Sequence, residues 1–155
     1  FCHQELIPTE GKIYFMRFVA PSSGSYSKIR FFQRKHDSNG VTIRGGIWKV
    51  NSAGTAPDTP VLAEGTLAIT SSTDNQIVTV SLSPVTLTAG AEYYVALLVP
   101  NSSAGTTWFW AQTDSNFLHK FSAFTDNNSY TQMSTVGGTI VISGSGNTPW
   151  FQVAP

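Results

Sequence analysis

The chain has few charged residues and a single cysteine. Charged residues make up 12% of its 155 residues, about half of the ~25% that is usual in soluble domains. The single thiol, Cys2, excludes a disulfide within the chain. A formal net charge of +0 argues against a nucleic-acid-binding protein, since such proteins are usually basic. The polar residues are instead mostly Ser, Thr, Asn and Gly, a composition typical of exported and virion β proteins.

Long apolar runs and catalytic motifs are also missing. No run is long enough to cross a membrane as a helix, so we expect no membrane insertion. The sequence has no Gly-x-Ser-x-Gly motif, no phosphate-binding glycine loop and no paired-histidine zinc motif. Most acidic residues fall in turn-like positions, and Glu64 and Glu92 are the candidates within strands. We therefore predict a protein that is not an enzyme and has no resident cofactor.

Short strand-like runs follow one another along the whole chain. Apolar and polar residues alternate in them with the two-residue period of a half-buried strand, and Gly, Asn, Asp, Ser and Pro separate them. The runs cover residues 12–19, 26–36, 41–50, 61–70, 76–83, 92–99, 107–112, 139–143 and 149–153. This pattern predicts an all-β fold, an antiparallel β-sandwich that is jelly-roll-like, with eight or nine strands. Residues 1–155 are expected to form a single domain. A start at Phe1 with no signal peptide predicts a piece trimmed from a longer chain.

Two of these runs carry more specific expectations. Residues 92–99 are apolar on both faces, which predicts a central strand covered on both sides. The pair Gly45 and Gly46 interrupts residues 41–50, which predicts a bulge or bend that re-aims Trp48.

The two signs of charge are separated along the chain. Eight of the nine cationic residues lie within residues 12–49, whereas most acidic residues follow from Asp58 onward. One interpretation is that basic and acidic strands are neighbours in the fold. A second is head-to-tail contact between copies, with a basic face on one copy meeting an acidic face on the next. A third is a patch that binds phosphate or sulfate.

The candidate ligand-binding residues centre on an aromatic strand. In Trp108-Phe109-Trp110 the two tryptophans share one face and Phe109 takes the other. If Phe109 is in the core, both tryptophans point outward and form a stacking platform for a sugar ring or a subunit contact. If the tryptophans are core, Phe109 points outward, and we favour the interpretation that at least one tryptophan is in the core. Downstream polar side chains on alternate positions would hydrogen-bond sugar hydroxyls: Gln112, Asp114 and Asn116.

Two loops contain the kinds of residues that bind calcium. Asp37 with Asn39, and Asp126 with Asn128, place oxygen ligands in loops, as calcium prefers. Neither stretch has the complete twelve-residue loop with a closing Glu, and ordinary Asx turns explain both. No metal-binding residues are therefore assigned.

The middle of the chain resembles a known family. The motifs are IRFF at 29–32, GIW at 46–48, PVLA at 60–63, VTV at 78–80, PVTLTAG at 84–90 and YYVA at 93–96. In this order they resemble a family of β-sandwich modules of unknown function that are repeated in secreted bacterial surface proteins. They are also similar to modules of phage tail and capsid-fibre proteins. The resemblance covers residues 14–100 and implies a β-sandwich in a display or adhesive context, with no established catalytic residues.

These observations together predict a function on a surface. The leading hypothesis is a non-catalytic structural and adhesive module of a phage or virus appendage or capsid surface that contacts host glycans. Its partners would be other virion or surface-protein subunits, including copies of itself in a homo-oligomer. The alternative is a carbohydrate-binding module of a secreted polysaccharide-active protein. Either hypothesis places the chain on a virion surface or outside the cell.

Overall fold

The computed structural model describes residues 4–37, 40–100, 105–112, 122–125, 129–143 and 148–155. Twelve β-strands lie in this part of the chain. They are β1 Gln4–Leu6, β2 Ile13–Val19, β3 Gly24–His36, β4 Val41–Lys49, β5 Ala63–Ile69, β6 Gln76–Leu87, β7 Glu92–Leu98, β8 Thr107–Gln112, β9 Ser122–Thr125, β10 Ile142–Ser143, β11 Thr148–Pro149 and β12 Phe151–Ala154. One 3₁₀ turn, Ser71–Thr73, precedes β6. The predicted all-β sandwich is confirmed, although twelve strands replace the eight or nine expected.

The strands form two antiparallel sheets. The front sheet contains β1, β8, β3 and β12 in that order, with β6 paired to β3 and β11 paired to β8. The back sheet has the order β10-β9-β2-β7-β4-β5. In the front sheet β3 pairs with β6 along one side, and with β8 and then β12 along the other. This long strand therefore has partners on both sides, which fixes the register of the front sheet.

The inner faces of the two sheets form one hydrophobic core. Alternation in β3 sends Ile29 and Phe31 inward, where both are fully buried. Alternation in β6 sends Val78 and Val80 inward, and β7 supplies Val95 and Leu97 from the opposite sheet. Side chains at every second position thus face the other sheet, as the two-residue period of the sequence predicts.

A second cluster lies on the other face of the back sheet. Residues 129–143, here called the strap, cross that face and bury Trp48, Tyr94 and Ala96 beneath Met133, Val136 and Ile140. The strap is tied down by backbone hydrogen bonding between Tyr130 and Gly11 and by the Thr59 hydroxyl, which donates to the Gly138 carbonyl. Strand β7 is therefore covered on both faces between β2 and β4, and the prediction of a doubly covered central strand is confirmed.

The bulge predicted at Gly45 and Gly46 is wrong. Strand β4 pairs with β5 and with β7 in unbroken register through both glycines. The glycines serve close packing instead, because a Cβ at Gly46 would lie 2.5 Å from the Met133 sulfur. On the inner face, a Cβ at Gly45 would lie 3.3 Å from Val80. Ordinary strand alternation places the Trp48 side chain on the face that the strap covers, where it is fully buried.

Candidate functional site: an aromatic and cationic face

Strand β8 settles which way its aromatic side chains point. Phe109 is fully buried in the core and packs edge-to-face on Phe31, with ring centroids 5.9 Å apart. Trp108 and Trp110 lie on the opposite, outer face of the front sheet and are both partly exposed. Of the two orientations that the sequence allows, the structure therefore has the one with outward tryptophans, and the favoured interpretation that at least one tryptophan is in the core is wrong.

Two further rings join Trp110 on this outer face. Phe32 follows the buried Phe31 and so points outward, 6.2 Å from Trp110 between ring centroids. Trp150 lies between β11 and β12, where its backbone N–H donates to the Trp110 carbonyl at 3.0 Å. The Trp150 ring is 6.4 Å from Phe32 in an edge-to-face arrangement. These four side chains, Phe32, Trp108, Trp110 and Trp150, are called the aromatic face.

Strand β3 adds two cations to the aromatic face, the second of them through a β-bulge. Gln33 pairs with Phe109 and Lys35 pairs with Trp108, with one extra residue, Arg34, between them. The Arg34 guanidinium carbon lies over the Trp110 ring, 5.2 Å from its centroid. The Lys35 ammonium lies over Trp108 at 4.5 Å. Both distances are within the ~6 Å that defines a cation–π contact.

An acidic residue from β1 completes the face. Glu5 pairs with Trp110 across the β1–β8 ladder, which puts its side chain on the outer face. Its Oε1 lies 2.8 Å from Nε of Arg34. The site therefore combines flat aromatic surface with a charged hydrogen-bond donor and a charged acceptor.

Some residues of this face are predicted by the sequence and others are not. Trp108 and Trp110 are on the face, and Gln112 ends β8 opposite Thr148, although its side chain falls outside the described part of the structure. Asp114 and Asn116 also lie outside the described residues. Phe32 and Trp150 belong to the face but were not among the predicted site residues. One sequence feature indicates that Phe32 is exposed: it is an apolar residue that shares the outward face of β3 with Arg30 and Arg34.

The calcium candidates give no described metal site. The Asp37 carboxylate accepts the Thr106 N–H at 2.8 Å, and the Asp37 N–H donates to the Thr106 carbonyl at 2.9 Å. Asp37 therefore ties the end of β3 to the start of β8. Asn39, Asp126 and Asn128 lie outside the described residues. Within the described residues no three His, Cys, Asp or Glu side chains are grouped so that they could hold a metal ion.

Basic and acidic segments meet within one chain. Arg17 forms an ion pair with Glu92, and Nη1 of Arg44 lies 3.3 Å from Oε2 of Glu64. This is the arrangement in which basic and acidic strands are neighbours in the fold, and it accounts for two of the cations in residues 12–49.

The Glu64 carboxylate binds backbone groups of the strap. Its carboxylate accepts the backbone N–H groups of Met133 at 2.6 Å and Ser134 at 3.1 Å. Its side chain is only 9% exposed. The strand carboxylate that the sequence singled out is therefore engaged in holding the strap against β5.

In the part of the chain that the structure describes, no helix is long and apolar enough to cross a membrane. No protein-family model matches the chain, and no curated protein gives a significant match to its sequence. The function is therefore inferred from the residues of the aromatic face.

Proposed function

We propose that the domain is a non-catalytic structural and adhesive module of a phage or virus appendage or capsid surface, and that it contacts host glycans through the aromatic face. The observation that carries this proposal is the clustering of Trp110 and Trp150 around Phe32 on the outer side of a sheet, with their ring centroids 6.2 Å and 6.4 Å from that of Phe32. Partly exposed aromatic side chains that lie together on a surface mark an interaction site.

Carbohydrate is the ligand class that suits such a face. A sugar ring has an apolar side of C–H groups, which packs on an aromatic ring, and a rim of hydroxyls, which needs donors and acceptors. Arg34 supplies donors beside Trp110, and Glu5 supplies an acceptor. A β-sheet surface holds these groups on a rigid support, so little conformational entropy is lost on binding.

The virion or extracellular setting rests on composition and on the family resemblance. A charged fraction of 12% and a surface built from Ser, Thr and Asn suit displayed β proteins. The aromatic face would equally serve the second candidate, a carbohydrate-binding module of a secreted polysaccharide-active protein. Light scattering separates the two settings, because a structural subunit forms a discrete homo-oligomer or binds a partner subunit, whereas an excised carbohydrate-binding module is a monomer.

The direct test of carbohydrate binding is a glycan array followed by calorimetric titration of the best oligosaccharide. Trp110→Ala should weaken binding by about tenfold, since an aromatic pair contributes ~0.5–1.5 kcal/mol beyond its buried area. The control is Val19→Ala, which truncates an exposed apolar residue, 53% accessible, on the back sheet. Carbohydrate binding that survives Trp110→Ala unchanged would contradict the proposed site.

A further inference from the structure

The outer face of the front sheet carries an excess of positive charge. Its cations lie on β3 at outward positions, namely Lys28, Arg30, Arg34 and Lys35. Among the residues of the six front-sheet strands, Glu5 is the only carboxylate. Glu5 is paired with Arg34, so the face keeps a formal excess of three positive charges although the whole chain is neutral.

These cations form a row beside the aromatic face. From Lys28 to Lys35 the strand runs at most about 24 Å at ~3.4 Å per residue, which is the reach of a short oligosaccharide. The Lys28 ammonium donates to the Pro155 carbonyl at 2.9 Å, and an Arg30 nitrogen donates to Oε1 of Gln152 at 2.9 Å. The Gln152 side-chain amide is neutral, so its contact leaves the positive charge of Arg30 uncompensated.

Two of these cations lie where a stacked ligand would meet them. Lys35 is exposed and lies over Trp108, and Arg34 lies over Trp110. A sugar that packs on these indoles would bring its substituents within reach of an ammonium and a guanidinium. Anionic substituents form stronger, charge-assisted hydrogen bonds with such donors than hydroxyls do.

We propose that the ligand of the aromatic face is an acidic oligosaccharide, one that carries carboxylate or sulfate groups. This inference rests on the proposed carbohydrate-binding function and narrows its ligand class. Stacking on the tryptophans holds the sugar rings, while the row from Lys28 to Lys35 selects the acid groups. Each exposed charge contact contributes little, so selectivity comes from several contacts together.

The test compares matched sugars with and without their acidic groups. Calorimetric titrations use tetragalacturonate against its methyl ester, and an N-acetyllactosamine tetrasaccharide with and without 6-O-sulfate. The first pair reports on carboxylate and the second on sulfate. We expect roughly fivefold to tenfold tighter binding of at least one acidic member. The preference should shrink as salt is raised from 0.1 M to 1 M, where the screening length falls from ~10 Å to ~3 Å.

Lys35→Gln is the variant that isolates the charge. It removes an exposed ammonium and should weaken binding of the acidic sugar by about threefold more than it weakens binding of the neutral sugar. The matched control is Lys49→Gln, an exposed lysine at the end of β4 in the back sheet, which should change neither. Thermal melts confirm that both variants fold.

The remaining outcomes separate this inference from the proposed function. Equal binding of charged and neutral sugars, lost in Trp110→Ala, would overturn the acidic class and keep carbohydrate binding. No binding of any glycan would overturn both. Tighter binding of a single-stranded oligothymidylate than of any acidic sugar would replace the ligand by a nucleic acid, since stacked rings with cations also suit single strands.

Discussion

Lys35 lies opposite Trp108 across the β3–β8 pair, with its ammonium 4.5 Å from the centroid of the indole ring. Strict alternation from the fully buried Gln33 would have placed Lys35 on the inner face, in the core. The extra residue of the bulge moves Lys35 to the outer face, next to Arg34. A local irregularity in one strand thus adds a second cation to the aromatic face.

Phe109 and Trp110 are neighbours on β8 but point to opposite faces of the sheet, so replacing each with alanine should change stability by different amounts. Phe109→Ala should cost about 3–5 kcal/mol in the free energy of unfolding, because it leaves a closed cavity in the core. Trp110→Ala should cost roughly 1–2 kcal/mol, because the space it leaves opens to water. Urea denaturation of both variants measures the difference. A larger loss for Trp110→Ala than for Phe109→Ala would contradict the orientation of β8.

Tyr94 should make the domain sensitive to alkaline pH. Its side chain is 2% exposed under the strap, and burial raises the pKa of its hydroxyl above the ordinary value, although nearby Arg17 opposes the rise. A pKa that is raised in the folded state means that the neutral phenol is favoured there. The corresponding stability is complete below about pH 10, the pKa of an exposed tyrosine, and is lost as pH rises through the folded value.

The measurement is the free energy of unfolding at pH 8, 10 and 11 for the wild type and for Tyr94→Phe. The wild type should lose more stability across this range than the variant, which has no hydroxyl to ionise at this position. Parallel pH profiles for the two proteins would show that Tyr94 does not cause the alkaline loss.

Glu64 should stabilise the strap. Glu64→Gln replaces one carboxylate oxygen by an NH₂ group, which cannot accept the N–H of Met133 or Ser134, so we expect a loss of about 1–3 kcal/mol. Amide hydrogen exchange at those two residues should accelerate. Glu92→Gln is the control, because Glu92 is 48% exposed and its ion pair with Arg17 contributes little. Equal effects of the two substitutions would argue against a specific role for Glu64.

Gly65 should be required for the approach of β5 to β6. A Cβ there would lie 1.9 Å from the Ser81 carbonyl oxygen, a backbone atom that cannot rotate away. Gly65→Ala should therefore cost about 1–3 kcal/mol through overpacking. Gly137→Ala is the control, because a Cβ at Gly137 would meet no atom within 4 Å. Thermal unfolding of both variants gives the comparison, and an unchanged midpoint for Gly65→Ala would mean that the two strands separate readily.

Strand alternation explains why the sequence predicts most of the fold. The patterns of β3, β6 and β7 identify their inward residues correctly, because side chains on a strand have a fixed period of two. The strands that the sequence missed, β1 and β9, have three and four residues, too few for a period to show. They exist because longer strands, β8 and β2, offer them an edge for pairing.

The candidate site was predictable in part for the same reason. Alternation links Trp108 and Trp110, but it leaves open which face of β8 is core. Trp150 lies between β11 and β12 and reaches the aromatic face through its backbone hydrogen bond to Trp110. These two residues are 40 positions apart in sequence. The bulge that exposes Lys35 has no glycine or proline to mark it. Long-range contacts and unmarked bulges are set by packing, so local sequence patterns do not reveal them.

The most direct test of the central claim is an NMR titration that follows the four indole N–H signals. Three tryptophans lie on the aromatic face, and the fourth, Trp48, is fully buried on the other sheet and serves as an internal control. Tetragalacturonate and its methyl ester are the added sugars. We expect saturable shifts of the Trp108, Trp110 and Trp150 signals with at least one of these sugars, while the Trp48 signal stays unchanged. Shifts confined to Trp48, or no shift in any indole with either sugar, would contradict a carbohydrate-binding face.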